Sequence, residues 1–359
     1  MTGKSLHITA LALPLVARRL IWVIEKAGRT KKYLRRKPML RIASLMAASL
    51  LTASMAQAQD VSKYPEHPVR VIVGYAAGSG PDIQARTVAA QLSNDLGQNF
   101  FVENRLGANG TLATRTVVTA EPDGYTILFT SNGIAPTPYI YKSLGYDLFT
   151  DLKPIATQGI LDGLLILVDS KSDIKTLQQL IDHAKKDRLL YGSPGVGNGL
   201  HLATELFSKA AGIKMQHVPY KGASEVMTGM LGGSVNLMFV TPPSVMGLVK
   251  DGRVRALGFT GSKPFPALPD VPLVKDIVPG FEPIGSWGIF LAPGKTPDAI
   301  VNKLNVGIHK ALLNPKVAEV MQRDGYIPDS RNPAETAAFF RKEVEATAAA
   351  VKAAGIQPQ

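Results

Sequence analysis

The stretch VRVIVGYAAGSGPDI, residues 69–83, passes from a compact β-branched apolar run into glycines and then into apolar residues at helical spacing. Val69–Tyr75 predicts a strand, Ala77-Gly78-Ser79-Gly80-Pro81-Asp82 a turn, and Ile83–Leu96 a helix. Strand, glycine turn and helix make an anion cradle. Glycine lets the backbone turn tightly, and the first N–H groups of the helix lack internal partners and carry the positive end of its dipole. A second stretch, YGSPGVGNGLH at residues 191–201, repeats this grammar between a short strand over Leu189–Gly192 and a helix over Leu200–Ala211. Two cradles in separate halves of one chain point to a ligand held between two lobes.

Outward from the first turn, the chain reads as alternating strands and helices with short loops. Gln98–Glu103 is a strand, the glycine-rich Leu106–Thr111 a loop, Leu112–Ala120 a helix and Tyr125–Thr130 a third strand after Asp123-Gly124. The same order recurs with a strand at Leu164–Val168, a helix at Leu177–Asp187, strands at Met215–Val218 and Val235–Val240 around a helix at Ala223–Leu231, and a strand at Val254–Thr260. This repetition predicts parallel sheets with helices on both faces. A proline-rich stretch from Pro264 to Pro283 precedes a strand at Trp287–Leu291 and two helices, Asp298–Leu312 and Ala334–Ala354, which have no strands of their own and must return to the first sheet. The predicted division is therefore a leader at 1–58, a first lobe at 59–160 rejoined by 285–359, and a second lobe at 161–284, with crossings near Ile155–Leu164 and Pro283–Gly288.

The net charge of +12 is concentrated at the front. Residues 1–58 hold eleven Lys and Arg against Glu25 alone, a net of +10, so the remainder carries only +2. A near-neutral body has no basic stripe for phosphate contacts, which argues against a nucleic-acid partner. The front itself reads as a secretory targeting segment: Arg35-Arg36-Lys37 and Arg41, an apolar stretch from Ile42 to about Met55, then Ala56-Gln57-Ala58 as the cleavage motif, so the mature chain is expected to begin near Gln59. The apolar core is shorter than the roughly 20 residues of a spanning helix. Ile8–Ile24 is also rather apolar, and translation starting at Met39 or a long leader starting at Met1 both accommodate it. The chain has no cysteine, which excludes disulfides and thiolate metal sites.

Catalytic constellations are hard to assemble. Gly78-Ser79-Gly80 begins like a dinucleotide fingerprint, but Ile83 stands where a third glycine belongs, with Glu103 as the would-be ribose acid. Ser79 has an N-cap role available with Asp82 reaching back as in a capping box, and Asp82 is also a candidate site residue. Ser193 does not sit in a G-x-S-x-G elbow, and no histidines have H-E-x-x-H spacing, so neither a hydrolase nucleophile nor a catalytic metal is indicated. His201, in the first turn of its helix, has two readings: donor to a ligand carboxylate, or donor to a neighbouring backbone carbonyl; His217, in a strand, reads as structural. The rival to a binding protein is an exported or cytoplasmic α/β enzyme that holds a phosphate or nucleotide at the Gly78–Gly80 turn.

Several spaced motifs resemble one family from about Tyr64 to the C-terminus: Tyr64-Pro65-x-x-Pro68-Val69-Arg70, Asp82-Ile83-x-Ala85-Arg86, Val102-Glu103-Asn104-Arg105-x-Gly107-Ala108, Glu121-Pro122-Asp123-Gly124-Tyr125, His201-Leu202-Ala203 and His217-Val218-Pro219-Tyr220-Lys221-Gly222. They resemble the substrate-binding proteins of tripartite tricarboxylate transporters, also called Bug receptors. The resemblance implies a periplasmic type II Venus-flytrap fold: α/β, two doubly wound lobes joined by two crossover strands. It implies a receptor that captures a small carboxylate, such as a tricarboxylate, a dicarboxylate or an aromatic acid like terephthalate, and delivers it to membrane permease subunits. A monomer without cofactor is the expectation, because the interface between the lobes already buries the functional surface. The ligand contacts it implies fall on Ala77, Gly78, Ser79 and Asp82; on Ser131 and Asn132 after the third strand; on Ser193, Gly195, Val196, Gly197 and Asn198 with His201; and on Thr241 and Pro242. Two departures stand out. Gly78-Ser79 replaces the family's usual pair of adjacent glycines, and Gly133-Ile134-Ala135-Pro136-Thr137-Pro138 is more apolar than the usual loop, which with Tyr139 or Tyr141 nearby tilts the expected ligand toward a less polar acid.

Overall fold

A computed structural model describes residues 61–358, so the leader, its cleavage near Ala58 and the choice of start at Met1 or Met39 lie outside the described residues. Two sheets organise the chain. The first has six strands in the order β11-β4-β10-β3-β1-β2, formed by β1 (Val69–Val73), β2 (Phe100–Asn104), β3 (Thr126–Ser131), β4 (Leu152–Leu161), β10 (Ser286–Pro293) and β11 (Tyr326–Pro328). The second has five in the order β7-β6-β8-β5-β9, formed by β5 (Leu165–Asp169), β6 (Leu189–Ser193), β7 (Met215–Pro219), β8 (Leu237–Val240) and β9 (Val254–Phe259).

The two sheets share one topology although the sequence shows no repeat. In each, a first strand (β1 or β6) is flanked in parallel by the second (β2 or β7) and third (β3 or β8). The next neighbour is an antiparallel strand that arrives from the other sheet's stretch of chain: β10 beside β3, and β5 beside β8. The sheets are therefore mixed, not parallel throughout as the alternation of elements predicted. Sequence periodicity reports local elements, whereas the direction of β5 and β10 is set by the crossovers that deliver them.

Alternation within each strand assigns its two faces. Val69, Val71 and Val73 of β1 pack with Val88 and Leu92 of α1 (Gly80–Leu96) and Leu304 and Ile308 of a later helix, while Ile72 turns to the opposite face with Ala113 and Val117 of α2 (Thr111–Val118) and Phe340. Covered faces on both sides explain why Val69, Val71, Ile72 and Val73 are all apolar, while the half-buried Arg70 pairs with Glu103 at 3.4 Å. Each fully buried Val or Ile contributes about 1.5–3 kcal/mol. The second sheet is covered by α3 (Leu177–Lys186) and α4 (Gly199–Ala210) on one face, through Leu180 and Phe207, and by α5 (Ala223–Leu231) on the other, through Val226 and Met230.

After β10 the chain forms α6 (Asp298–Leu312), α7 (Pro315–Arg323), β11 and α8 (Pro333–Ala353). Both α6 and α8 pack on the first sheet, with Leu304 and Ile308 on one face and Phe340 and Val344 on the other. The expectation that this tail has no strand is corrected: β11 pairs antiparallel with β4 at the sheet's edge. A three-residue edge strand with Ile327 exposed carries no alternation that a sequence pattern could detect. Among the described residues, no helix is long and apolar enough to cross a membrane.

Candidate functional site

In doubly wound sheets, a crevice opens beyond the carboxyl ends of strands where successive connections leave to opposite sides. Both sheets present such ends, β1 and β3 in the first and β6 and β8 in the second, and the loops after all four strands line one cavity of about 500 Å³. The N-termini of α1, α4 and α5 reach it through Gly80, Gly199 and Ala223. Three helix dipoles thus direct their positive ends and unpaired N–H groups into one space. Lys221 and Glu225 are the charged side chains on its wall, and Glu225 Oε2 accepts from the Lys221 backbone N–H at 3.1 Å.

The first turn is held from below. Asp82 is buried, and its carboxylate accepts from Gly78 N at 2.8 Å, Asn104 Nδ2 at 2.8 Å and Arg86 Nε at 3.1 Å. Burial alone would raise its pKa; hydrogen bonds from Arg86, Asn104 and Gly78 overcome that and hold the carboxyl below its ordinary value. Asn104 also donates to the Tyr75 carbonyl at 2.9 Å, tying the end of β1 to the same anchor. The capping box read from sequence does not form. Asp82 bonds the Gly78 N–H, one residue before the N-cap, and the Ser79 hydroxyl makes no capping bond. Ser79 Oγ is buried in the cavity wall without a partner among the described residues. Such a hydroxyl is costly to leave unpaired and suits a ligand acceptor. The Gly78 N–H, expected to face an anion, is consumed by Asp82, and the first-turn N–H groups that remain are those of Gly80 and Asp82.

The second turn rests on stacked imidazoles. His201 and His217 lie ring over ring, with centroids 3.9 Å apart and planes within 11°. His201 Nδ1 accepts from the Gly197 N–H at 2.8 Å, and His217 Nε2 lies 2.6 Å from Ser193 Oγ. Burial pushes the His201 pKa down to about 3, with the neighbouring His217 adding to the effect, and burial pushes His217 down to about 4. Both rings are therefore neutral at pH 7, as the acceptor role of His201 Nδ1 requires. The backbone carbonyl expected as the partner of His201 is corrected: the ring meets the Gly197 N–H and accepts from it, because the glycine turn aims its N–H groups toward the first turn of the helix. Tyr191 stacks on His217 and donates its hydroxyl to Glu205, which closes the cluster. Asn198 caps α4 by accepting from Leu200 N at 3.0 Å.

The remaining walls come from β3 and β8. Ser131 Oγ donates to Tyr75 Oη at 2.8 Å, and Asn132 Oδ1 accepts from Ser286 Oγ at 2.8 Å. Thr241 faces the start of α1 so closely that a Cβ at position 80 would lie 2.4 Å from its Oγ1, which explains the glycine there. Of the residues singled out from sequence, Ser79, Ser131, Asn132, Gly195, Val196, Asn198 and Thr241 line the cavity. Ala77 and Gly78 are exposed beside it, while Asp82, Ser193, Gly197, His201 and Pro242 stand behind the wall. Ile134, taken as part of an apolar loop near the ligand, is buried in the first lobe's core, whereas Tyr141 does reach the cavity. Sequence reasoning missed Tyr75, Asn109, Tyr220, Lys221 and Ser286. Asn109 carried a signal as a polar residue inside the Leu106–Thr111 loop, and Tyr220 and Lys221 as members of the motif at residues 217–222; Tyr75 and Ser286 carried none.

Residues 84–356 match the model of the tripartite tricarboxylate transporter family receptor. The UPF0065 protein in the gbd 5' region of Cupriavidus necator is 35% identical over 318 residues, covering 88% of this chain and 95% of that protein. The solved periplasmic binding protein BugD is 32% identical with a TM-score of 0.78, covering 82% of this chain and all of that one. A protein from R. palustris solved with adipate is 31% identical with a TM-score of 0.79, again covering 82% of this chain and all of that one. With two mixed sheets of matching topology facing one shared cavity, and a family match across most of its length, the chain belongs to the tripartite tricarboxylate transporter receptor family.

Proposed function

We propose that this protein is an extracytoplasmic receptor that captures a small carboxylate between its lobes and delivers it to the permease of a tripartite tricarboxylate-type transporter. The observation that carries this reading is the convergence of three helix N-termini, from both lobes, on one cavity. A carboxylate there gains hydrogen bonds from first-turn N–H groups and the Ser79 hydroxyl without needing a catalytic acid or base. The range extends over tricarboxylates, dicarboxylates and aromatic acids such as terephthalate. The similarity to a protein solved with adipate supports a dicarboxylate. The lobes, 59–160 with 285–359 and 161–284, close on the ligand, which shifts the population by binding the closed form better than the open one. The receptor works as a periplasmic monomer after removal of residues 1–58.

The test uses the mature chain, unfolded and refolded to strip carried-over ligand, and titrated with citrate, dicarboxylates, acidic amino acids and aromatic acids. Trp287, the tryptophan that remains after the leader is removed, lies in β10 near the crossover and donates Nε1 to Glu343 at 2.9 Å, so its emission reports on this region. A saturating acid at 100 times its Kd should add about 2.7 kcal/mol of stability. Silence across the panel with a response to nucleotides instead would replace the receptor by the enzyme.

A further inference from the structure

The loop between β2 and α2 places four consecutive residues at positive φ: Gly107 at 131°, Ala108 at 45°, Asn109 at 53° and Gly110 at 83°. Glycine adopts this region freely, but alanine and asparagine do so at a cost, and such strain persists where the surroundings hold it. Here the loop projects the Asn109 side chain out of the first lobe and onto the glycine turn of the second. Asn109 Nδ2 donates to the Val196 carbonyl across the cleft and lies 3.2 Å from Tyr141 Oη. The receiving turn is cut to fit. Gly195 has φ 119°, and a Cβ built on it would lie 2.7 Å from Asn109 Oδ1. Residues 109, 195 and 196 all line the cavity.

We infer that Asn109 is the closure latch of this receptor: a first-lobe amide, preset by a strained backbone, that engages the Gly195-Val196 turn when the lobes meet. The inference rests on the proposed closure of the two lobes. It gives the second turn's glycines a role beyond anion binding, since Gly195 admits Asn109, Gly197 faces Ile140 with a would-be Cβ 2.3 Å from its Cδ1, and Gly199 faces Asn132 at 3.3 Å. Asn109 is a positioning residue in this scheme. It sets how long the lobes stay together, and through that the residence time of any ligand.

A disulfide trap reads closure without a ligand. The chain has no cysteine, and a Cβ at Gly222 in the second lobe would lie 3.5 Å from the Ala76 Cβ in the first, within disulfide range. In mature protein carrying Ala76→Cys and Gly222→Cys, the rate of disulfide formation under fixed oxidant measures access to the closed form. Adding Asn109→Gly removes the amide while relieving the left-handed backbone. The melting temperature of the reduced chain should hold or rise while the disulfide rate falls roughly two- to tenfold, the value of one neutral hydrogen bond. Asn109→Asp, which keeps the shape but loses the donor, should slow it by at least as much. Equal rates with and without the amide would overturn the latch and leave lobe closure standing. Absence of the disulfide in the chain that retains Asn109 would overturn closure itself, and the latch with it.

Discussion

Acidification should unfold this protein through the imidazole pair beneath the second glycine turn. The folded chain keeps His201 and His217 neutral, with pKa values near 3 and 4 against the usual 6.5. Below pH 6.5 the unfolded chain binds protons that the folded chain refuses, so stability is full above that pH and is lost progressively toward about 3. From pH 7 to pH 5, His201, which is 6% exposed, should cost about 2 kcal/mol, and the partly solvated His217 about 1 kcal/mol. The groups facing the pair are Glu205, 3.9 Å from His201 Nε2, and the Tyr191 and Ser193 hydroxyls. Glu205 is already engaged by Tyr191, which limits what it can offer a protonated His201. Urea melts at the two pH values measure the loss, which corresponds to a fall in Tm of about 5 °C for a chain of this size. His309 on α6 shares the direction of shift, so the decisive comparison is with a chain carrying His201→Gln and His217→Gln. The substituted chain should lose under about 1 kcal/mol over the same interval. An equal loss in both chains, or no loss in the wild type, would refute the reasoning.

Other perturbations follow from individual contacts. Asp82→Asn weakens the charge-assisted anchor to Arg86 and should lower stability by about 2 kcal/mol in urea melts; a change under about 0.5 kcal/mol would show that the turn does not depend on that carboxylate. Gly285→Ala places a Cβ 2.1 Å from the Leu161 carbonyl and 2.9 Å from that of Asp162, where the chain returns to the first sheet. Since both obstacles are backbone, the cost should be about 3 kcal/mol, and a neutral effect on Tm would contradict the close approach of the two crossovers.

Much of the fold was legible because local pattern and burial agree. The helices at Asp298–Leu312 and Ala223–Leu231 begin and end where the apolar spacing says they should, and the strand and helix around Gly78 both form, with the helix starting at Gly80 inside the stretch read as a turn. What escaped was long-range. The ten residues of β4, LKPIATQGIL, include Pro154, Thr157 and Gln158, and no alternation marks them as a strand. Their pairing with β10, through two register shifts, depends on a partner more than a hundred residues away. The site was legible at the same level. Sequence located the loops that line the cavity, since strand ends and helix starts are local features. It could not tell which side chains face inward: His201 and Asp82 support the wall from behind, and Tyr75 and Asn109 come forward, because those directions are set by packing between distant elements. The glycines carried two messages at once, backbone N–H exposure and clearance for the opposite lobe, and the second becomes visible only when both lobes are present.

The proposed receptor holds its carboxylate by both lobes together. This is tested most directly by calorimetric titration of the acid selected from the panel into the wild-type chain, Ser79→Ala and Thr241→Ala, with recovery of the acid afterwards. One site per chain is expected, with the acid returned unchanged and binding weakened about tenfold by each substitution, one from each lobe, about 1.4 kcal/mol per contact. Affinity untouched by either substitution, or acid recovered as a different compound, would contradict it.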